Sequence, residues 1–272
     1  AIITSAPNFT DEESPTITYT NTLGAAVNSL KACITDDNGR SYVAYRDISK
    51  TGTSYTFELT TKERNSLRTL CANAQSIKVR FYIKSVINGN TFYSYLTKTL
   101  SIVNAEPIIS PTIADTNAAT VALTGDSNVL VKYFSNAAVT MGISPQKQAT
   151  ITSKKVVNGG KTLTEDGTFN NVESGDFVFT AVDSRGFITT LPINRNFIEY
   201  IKPTCDIEVS MGATGTLNLS VSGNYFNGSF NGINKNKLIV QYRVNMGQWK
   251  DIEAAASGNT YSATYEDTGY DY

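Results

Sequence analysis

At 272 residues the chain is about twice the usual single-domain length, so two or three domains are expected. A net charge of −1, with no compensating cluster of Lys and Arg, gives no field to attract nucleic acid or an anionic surface. The longest apolar runs, such as Val129-Leu130-Val131, fall far short of the roughly 20 residues of a spanning helix. Nucleic-acid binding and membrane insertion are therefore not expected, and the chain reads as soluble.

Ala1-Ile2-Ile3 leads straight into polar residues, with neither an initiator Met nor a signal peptide, so the chain reads as a fragment or a processed product. Cys33, Cys71 and Cys205 are an odd set without C-x-x-C spacing, which suggests neither a disulfide framework nor a zinc site. Burial as small apolar residues is the default, and a Cys33–Cys71 bridge is the alternative.

Residues 1–105 read as the first domain. Ile17 and Tyr19 offer a short strand, and Leu30 to Ile34 and Tyr42 to Ile48 flank the turn Asp36-Asp37-Asn38-Gly39. Ser54 to Leu59 alternates as a strand should. The period then changes: Thr60 and Glu63 fit a capping box, and Leu67, Leu70 and Cys71 recur at helical spacing, which predicts a short helix over Lys62 to Ala72. The longest strand-like stretch, Ser76 to Val103, is interrupted at Asn88-Gly89, a pair suited to a type I′ turn. With a two-residue loop, Ile77 faces Leu100, Phe81 faces Leu96 and Ile83 faces Ser94. Lys78, Arg80, Tyr82 and Lys84 then face Thr99, Thr97, Tyr95 and Tyr93, so one side is largely apolar and the other polar and tyrosine-rich; Lys98 opposite Val79 is the exception.

Pro107 and Pro111 mark a junction, and residues 106–202 form the second domain. Its strands are expected at Thr120 to Leu123, Val129 to Tyr133, Ala137 to Ile143 and Gln148 to Lys154. Hairpins follow around Asn158-Gly159-Gly160 and within Phe177 to Leu191, turning at Asp183-Ser184-Arg185-Gly186. Residues 203–272 form the third domain. Ile207 to Val209 and Leu217 to Val221 alternate, and Asn224 to Phe230 forms a loop. Leu238, Val240, Tyr242 and Val244 share a face, Asn245-Met246-Gly247 turns toward a core Trp249, and Tyr261 to Tyr265 is a strand. Gly269-Tyr270-Asp271-Tyr272 stands near the place of a tyrosine corner, so the third domain looks truncated by about two strands. The fold class is all-β, a tandem array of immunoglobulin-like or fibronectin-like sandwiches with one short helix in the first domain.

Reactive constellations are missing from this sequence. Without histidine there is no Ser-His-Asp or Cys-His nucleophilic site, and no Gly-x-Gly-x-x-Gly or complete Gly-x-x-x-x-Gly-Lys-Ser/Thr phosphate loop occurs. The acids Asp11-Glu12-Glu13, Asp36-Asp37, Glu165-Asp166 and Asp183 sit where turns are expected. Turn formation is the first reading and a calcium ion at a junction the rival, although no spacing matches a calcium loop. No catalytic residue, cofactor or metal ligand is assigned, and the chain is expected not to be an enzyme. Surface aromatics remain as binding candidates: Tyr82, Tyr93 and Tyr95 on the polar side of the hairpin, and Tyr225, Phe226 and Phe230 in the Gly/Asn-rich loop. Stacking on sugar rings competes with cross-strand pairing for the first three, and gripping a ligand competes with closing a sandwich end for the others.

Two segments carry a family resemblance. The first is Phe57-Glu58-Leu59-Thr60-Thr61-Lys62-Glu63-Arg64-Asn65-Ser66-Leu67 with Val79 to Lys84, Gly89 and Leu96 to Ala105. The second is Ser222-Gly223-Asn224-Tyr225-Phe226-Asn227-Gly228-Ser229-Phe230 with Val240 to Arg243, and the middle domain matches best at Ala181 to Gly186. Together they resemble minor structural proteins from the tails of long-tailed phages that infect Gram-positive bacteria. The resemblance implies a virion component at or near the tail tip, immunoglobulin-like in fold and involved in host attachment. Its partners would be other tail proteins and a host cell-wall polysaccharide or surface protein. A bacterial cell-surface adhesin, or a carbohydrate-binding module of a wall-associated protein, is the alternative.

Overall fold

The computed structural model describes residues 1–212, 216–232, 236–243 and 246–267. The positions expected for Val244, Asn245 and the Gly269-Tyr270-Asp271-Tyr272 corner lie outside them.

The first stretch carries β1 (Ile2–Ser5), β2 (Phe9–Thr10), β3 (Thr16–Thr20), β4 (Ser29–Asp36), β5 (Tyr42–Asp47), β6 (Ser54–Thr56), α1 (Thr61–Leu70), β7 (Ser76–Ile87) and β8 (Asn90–Ser101). They form two sheets, β1-β3-β6 and β2-β8-β7-β4-β5, the order of an immunoglobulin-type sandwich with a helix before its last hairpin. The hairpin register is the expected one at every position, from Ile77 opposite Leu100 to Lys84 opposite Tyr93, Val79 against Lys98 included. Asn88 and Gly89 take φ of 47° and 80°, as the primed turn demands. Period-two alternation then buries Val79, Phe81 and Ile83, whose core extends to Ile17, Tyr19, Phe57 and Leu100. The Phe81 ring centroid lies 5.4 Å from that of Phe9 and 5.9 Å from that of Phe57. Each such side chain contributes about 1.5–3 kcal/mol by leaving water.

The capping box of α1 forms both ways. Glu63 N–H donates to Thr60 Oγ1 at 3.3 Å, and Thr60 N–H donates to Glu63 Oε2 at 2.9 Å. The helix buries Leu67 alone, as an amphipathic turn packed on a sheet edge requires.

Onward come β9 (Ile108–Ile109), β10 (Thr112–Asp115), α2 (Ala118–Thr124), β11 (Val129–Val131), β12 (Ala137–Thr140), β13 (Ile143–Ser144), β14 (Ile151–Asn158), β15 (Lys161–Leu163), β16 (Gly167–Phe169), β17 (Asp176–Asp183), β18 (Ile188–Asn194) and β19 (Asn196–Ile198). Their main sheets are β10-β12-β16 and β15-β14-β17-β18. Thr120 to Leu123, expected as a strand, is instead the middle of α2. Asn117 caps that helix by accepting from Ala119 N–H at 3.0 Å, and Gly125 closes it at φ 71°. These end signals outweigh the β preference of Thr120 and Val121. The Thr120 hydroxyl is moreover drawn to the buried Asp115 carboxylate, which also accepts from Ser135 Oγ at 2.6 Å and from the N–H groups of Asn117 and Asn136 at 2.9 and 3.0 Å.

Last come β20 (Asp206–Met211), β21 (Leu217–Asn224), β22 (Val240–Tyr242), β23 (Lys250–Ile252), β24 (Ala254–Ser257) and β25 (Thr260–Asp267), in sheets β20-β21-β25-β24 and β22-β23. Register places Ile207, Val209 and Met211 on the side of Val221, Leu219 and Leu217, yet all three β20 residues are more than half exposed. One apolar face of the four-stranded sheet is thus open along its β20 edge. Trp249, expected in a core, is 57% exposed, with the Arg243 guanidinium 4.7 Å over its ring; the cation takes the place of core packing.

By contacts the chain gathers into two compact units, Ala1–Pro111 with Met141–Val156 and Phe179–Leu191, and Thr112–Thr140 with Val157–Val178 and Pro192–Tyr272. The fold is all-β, a tandem series of immunoglobulin-like sandwiches.

Candidate functional site

In the first unit, the outward side of sheet β2-β8-β7-β4-β5 is paved with tyrosine. Directly opposed residues of an antiparallel pair point to one side, so Tyr95, Tyr82, Cys33 and Tyr45 form one row across four strands. Tyr93, Lys84, Lys31 and Asp47 form the next row on one side, and Thr97, Arg80, Thr35 and Tyr42 the row on the other. Tyr42 and Tyr93 are each 57% exposed, Tyr95 52% and Tyr45 39%.

Tyr82 is half-buried and central. Its centroid lies 5.5 Å from that of Tyr95 and 6.1 Å from that of Tyr93. Its hydroxyl lies where a Cβ on Gly39 would stand, only 2.0 Å away, so this ring needs glycine in the β4–β5 turn. On the other flank Tyr42 meets Tyr45 edge-on at 5.6 Å, and the Tyr42 hydroxyl is shifted upward by desolvation, then by Cys33, Tyr93 and Tyr45 around it. Rings therefore continue from β5 to β8.

Cations interleave with them. Lys31 Nζ sits 5.0 Å over Tyr45 and 3.0 Å from Asp47, and Arg80 sits 4.8 Å over Tyr95 with its Nε 3.5 Å from Asp37. Lys78 donates to Thr99 Oγ1 at 2.8 Å. Neither Lys78 nor Lys84 has an acidic partner among the described residues, so the face carries a local surplus of positive charge.

Tyr42 and Tyr45 were missed in the sequence because they are three residues apart, a spacing that strict alternation puts on opposite faces. A bulge corrects this: Ile34 pairs with Ala44 but Thr35 pairs with Tyr42, leaving Val43 as the extra residue. The i, i+3 tyrosines thereby come to one side.

The loop aromatics fare differently. Phe226 and Phe230 are buried, in a cluster with Val131 and the partly buried Tyr200 of the second unit, their rings 5.2 Å apart. They fill a core and present no binding surface, a correction to their candidacy. Tyr225 is half-buried, edge-on to Tyr261 at 6.2 Å. Of the six sequence candidates, only Tyr82, Tyr93 and Tyr95 share a face.

All three cysteines are free, so the Cys33–Cys71 alternative does not form. Cys33 lies under the tyrosine rows and Cys71 in the first core. Burial pushes their thiols up, to about 12 and about 11 respectively, while Cys205 is exposed. Because the thiolate is the reacting species, a disulfide-exchange dye at neutral pH is expected to titrate one thiol in the native chain and three after denaturation. Rapid native labelling of Cys33 would contradict the sealed tyrosine cover.

A second polar cluster lies in the same unit. Arg185, fully buried, donates from Nε to Cys71 O at 2.8 Å, from Nη1 to Gln146 O at 3.2 Å, and from Nη2 to Arg68 O at 3.3 Å and to Lys147 O. Two of these carbonyls are at the end of α1, where the helix dipole favours a cation. Asp183 accepts from the N–H groups of Arg185 and Phe187 at 2.9 Å each, shaping the turn. Nearby, buried Asp11 meets Arg68 Nε at 2.7 Å and Lys147 Nζ at 3.1 Å. Burial alone would raise the Asp11 carboxyl, but hydrogen bonds from Arg68, Lys147 and Val103 N–H hold it below the usual carboxylate range. Most of these charged groups are partnered within the fold, whereas Asp183 Oδ2 is buried without a hydrogen bond, 3.8 Å from Arg185 Nη1. Among the described residues no three His, Cys, Asp or Glu side chains converge as a metal site would need, and no helix is long and apolar enough to cross a membrane.

No family model and no curated protein sequence matches the chain. Among solved structures it is similar to a Salmonella alpha-2-macroglobulin reacted with methylamine, at 10% identity over 96% of this chain and 20% of that one, TM-score 0.25. It is also similar to a PcdhgB3 EC1-4 structure, at 8% identity over 97% of this chain and 66% of the other, TM-score 0.33. A Dscam1 structure of four N-terminal Ig domains matches at 12% identity over 83% and 59%, TM-score 0.22. The chain spans less than two thirds of each of these proteins.

Proposed function

We propose that the chain is a non-enzymatic structural and adhesive segment of a phage tail, placed near the tail tip and engaged in attachment to a Gram-positive host. It would act as a series of three sandwiches over residues 1–105, 106–202 and 203–272, with other tail proteins as neighbours in the virion. The sequence resemblance supplies the tail. The observation that carries the adhesive part is the outward tyrosine face of β4, β5, β7 and β8, a large exposed aromatic surface on a scaffold whose buried charges are otherwise used in holding the fold. That face equally suits a bacterial surface adhesin or a carbohydrate-binding module, which is the second reading.

The test is binding of fluorescently labelled chain to intact Gram-positive cells and to cells stripped of wall polymers, beside antibody labelling of virions. Wall-dependent binding with decoration of tail tips is the expected result. Release of wall fragments by the purified chain would overturn the non-enzymatic reading, and antibody signal confined to the bacterial envelope would overturn the tail assignment.

A further inference from the structure

We propose that the tyrosine face of the first unit is a glycan-binding site for acidic polysaccharide, that is, sugars carrying phosphate or carboxylate. This deepens the adhesive reading above by naming its site and ligand class. Four features point the same way. The face is broad and open, which suits a polymer lying across it better than a small molecule needing enclosure. Its exposed rings Tyr42, Tyr45, Tyr93 and Tyr95 offer apolar π surfaces to the axial C–H faces of pyranose rings, while their hydroxyls remain free to bond sugar hydroxyls. The supporting ring, Tyr82, packs between Tyr93 and Tyr95, so the rings are already grouped before a ligand arrives. Finally, Lys31 and Arg80 have acidic partners on this face, whereas Lys78 and Lys84 bring none. Lys84 stands opposite Tyr93 and Lys78 further along the same side of the strand, opposite Thr99, in a chain of net charge −1, a local complement to an anionic polymer.

A neutral sugar would use the rings and leave the lysines idle. An acidic peptide would use the lysines and leave the rings idle. The combination selects a polymer with both properties.

Affinity gel electrophoresis of the whole chain separates these cases, with polygalacturonate, dextran and polyglutamate as the embedded polymers. Retardation is expected in polygalacturonate, much less in dextran and little in polyglutamate. Tyr93→Ala with Tyr42→Ala should weaken retardation by about tenfold, which is about 1.4 kcal/mol. Tyr93→Phe should keep most of it and leave thermal unfolding unchanged, since the ring contact with Tyr82 remains, and Lys84→Ala should flatten its salt dependence. Equal retardation by polyglutamate, insensitivity to the tyrosine variants, or dimerisation through this face in sedimentation would overturn the proposal. If the tyrosine variants still bind whole cells as the parent chain does, the site is wrong while the adhesive reading survives. If the parent binds neither cells nor glycans, both fall.

Discussion

Arg185→Met is expected to destabilise the first unit by about 3–5 kcal/mol, the range for removing one partner of a buried charge. Methionine matches the length of the aliphatic stem but donates nothing. Four backbone carbonyls, those of Cys71, Arg68, Gln146 and Lys147, would lose this donor at once, although Cys71 O and Gln146 O keep the N–H groups of Ala74 and Ala149. The buried Asp183 carboxylate, whose Oδ2 lies 3.8 Å from Arg185 Nη1, would lose its nearby cation. Arg185→Lys should recover only part of the loss, because one ammonium cannot reach carbonyls that a planar guanidinium spans. Urea unfolding followed by circular dichroism reads the effect, and limited proteolysis near Asn104 to Pro111 should speed up in parallel. A loss below about 1 kcal/mol would mean that water replaces the arginine without penalty.

Asp115→Ala should cost the second unit about 3 kcal/mol or more. The carboxylate gathers the hydroxyls of Thr120 and Ser135 and the N–H groups of Asn117 and Asn136, and each buried donor left unpaired costs about 1–3 kcal/mol. Asp115→Asn should cost less, since the amide oxygen can still serve the two backbone groups. The comparison separates hydrogen bonding from charge. Equal loss in both variants would show that the negative charge itself matters, and no loss in either would show that this cluster does not organise the start of α2.

Local chemistry explains why parts of this fold were readable in advance and others were not. The hairpin of β7 and β8 carries its own instructions: a turn pair that fixes loop length, and alternation that fixes faces once the length is known. The capping box of α1 is equally self-contained. By contrast α2 depends on Asn117 and Gly125 together with a tertiary partner, Asp115, and its own residues read as a strand. Half of the candidate site was legible for the same reason as the hairpin. The other half, Tyr42 and Tyr45, depends on a bulge at Val43 that no alternation pattern encodes. For Phe226 and Phe230 the Gly/Asn-rich setting left ligand gripping and the closing of a sandwich end in competition, and the loop turns both rings inward to Val131 and Tyr200. The Asp-Ser-Arg-Gly turn was visible as a turn; that its arginine reaches back to the end of α1 was not.

Strand β2 lies parallel to β8, with Phe9 beside Leu100 and Thr10 beside Ser101. Asn8 and Asp11 extend the contact, Thr99 N–H donating to Asn8 Oδ1 at 2.9 Å and Asp11 N–H to Ser101 O at 3.0 Å. These strands stand near opposite ends of the first 105 residues. Tension applied across those ends therefore pulls two side-by-side parallel strands in contrary directions and loads their hydrogen bonds together in shear, where an antiparallel pair gripped at one end would peel one bond at a time. The sandwich is thus wired to resist traction along the chain.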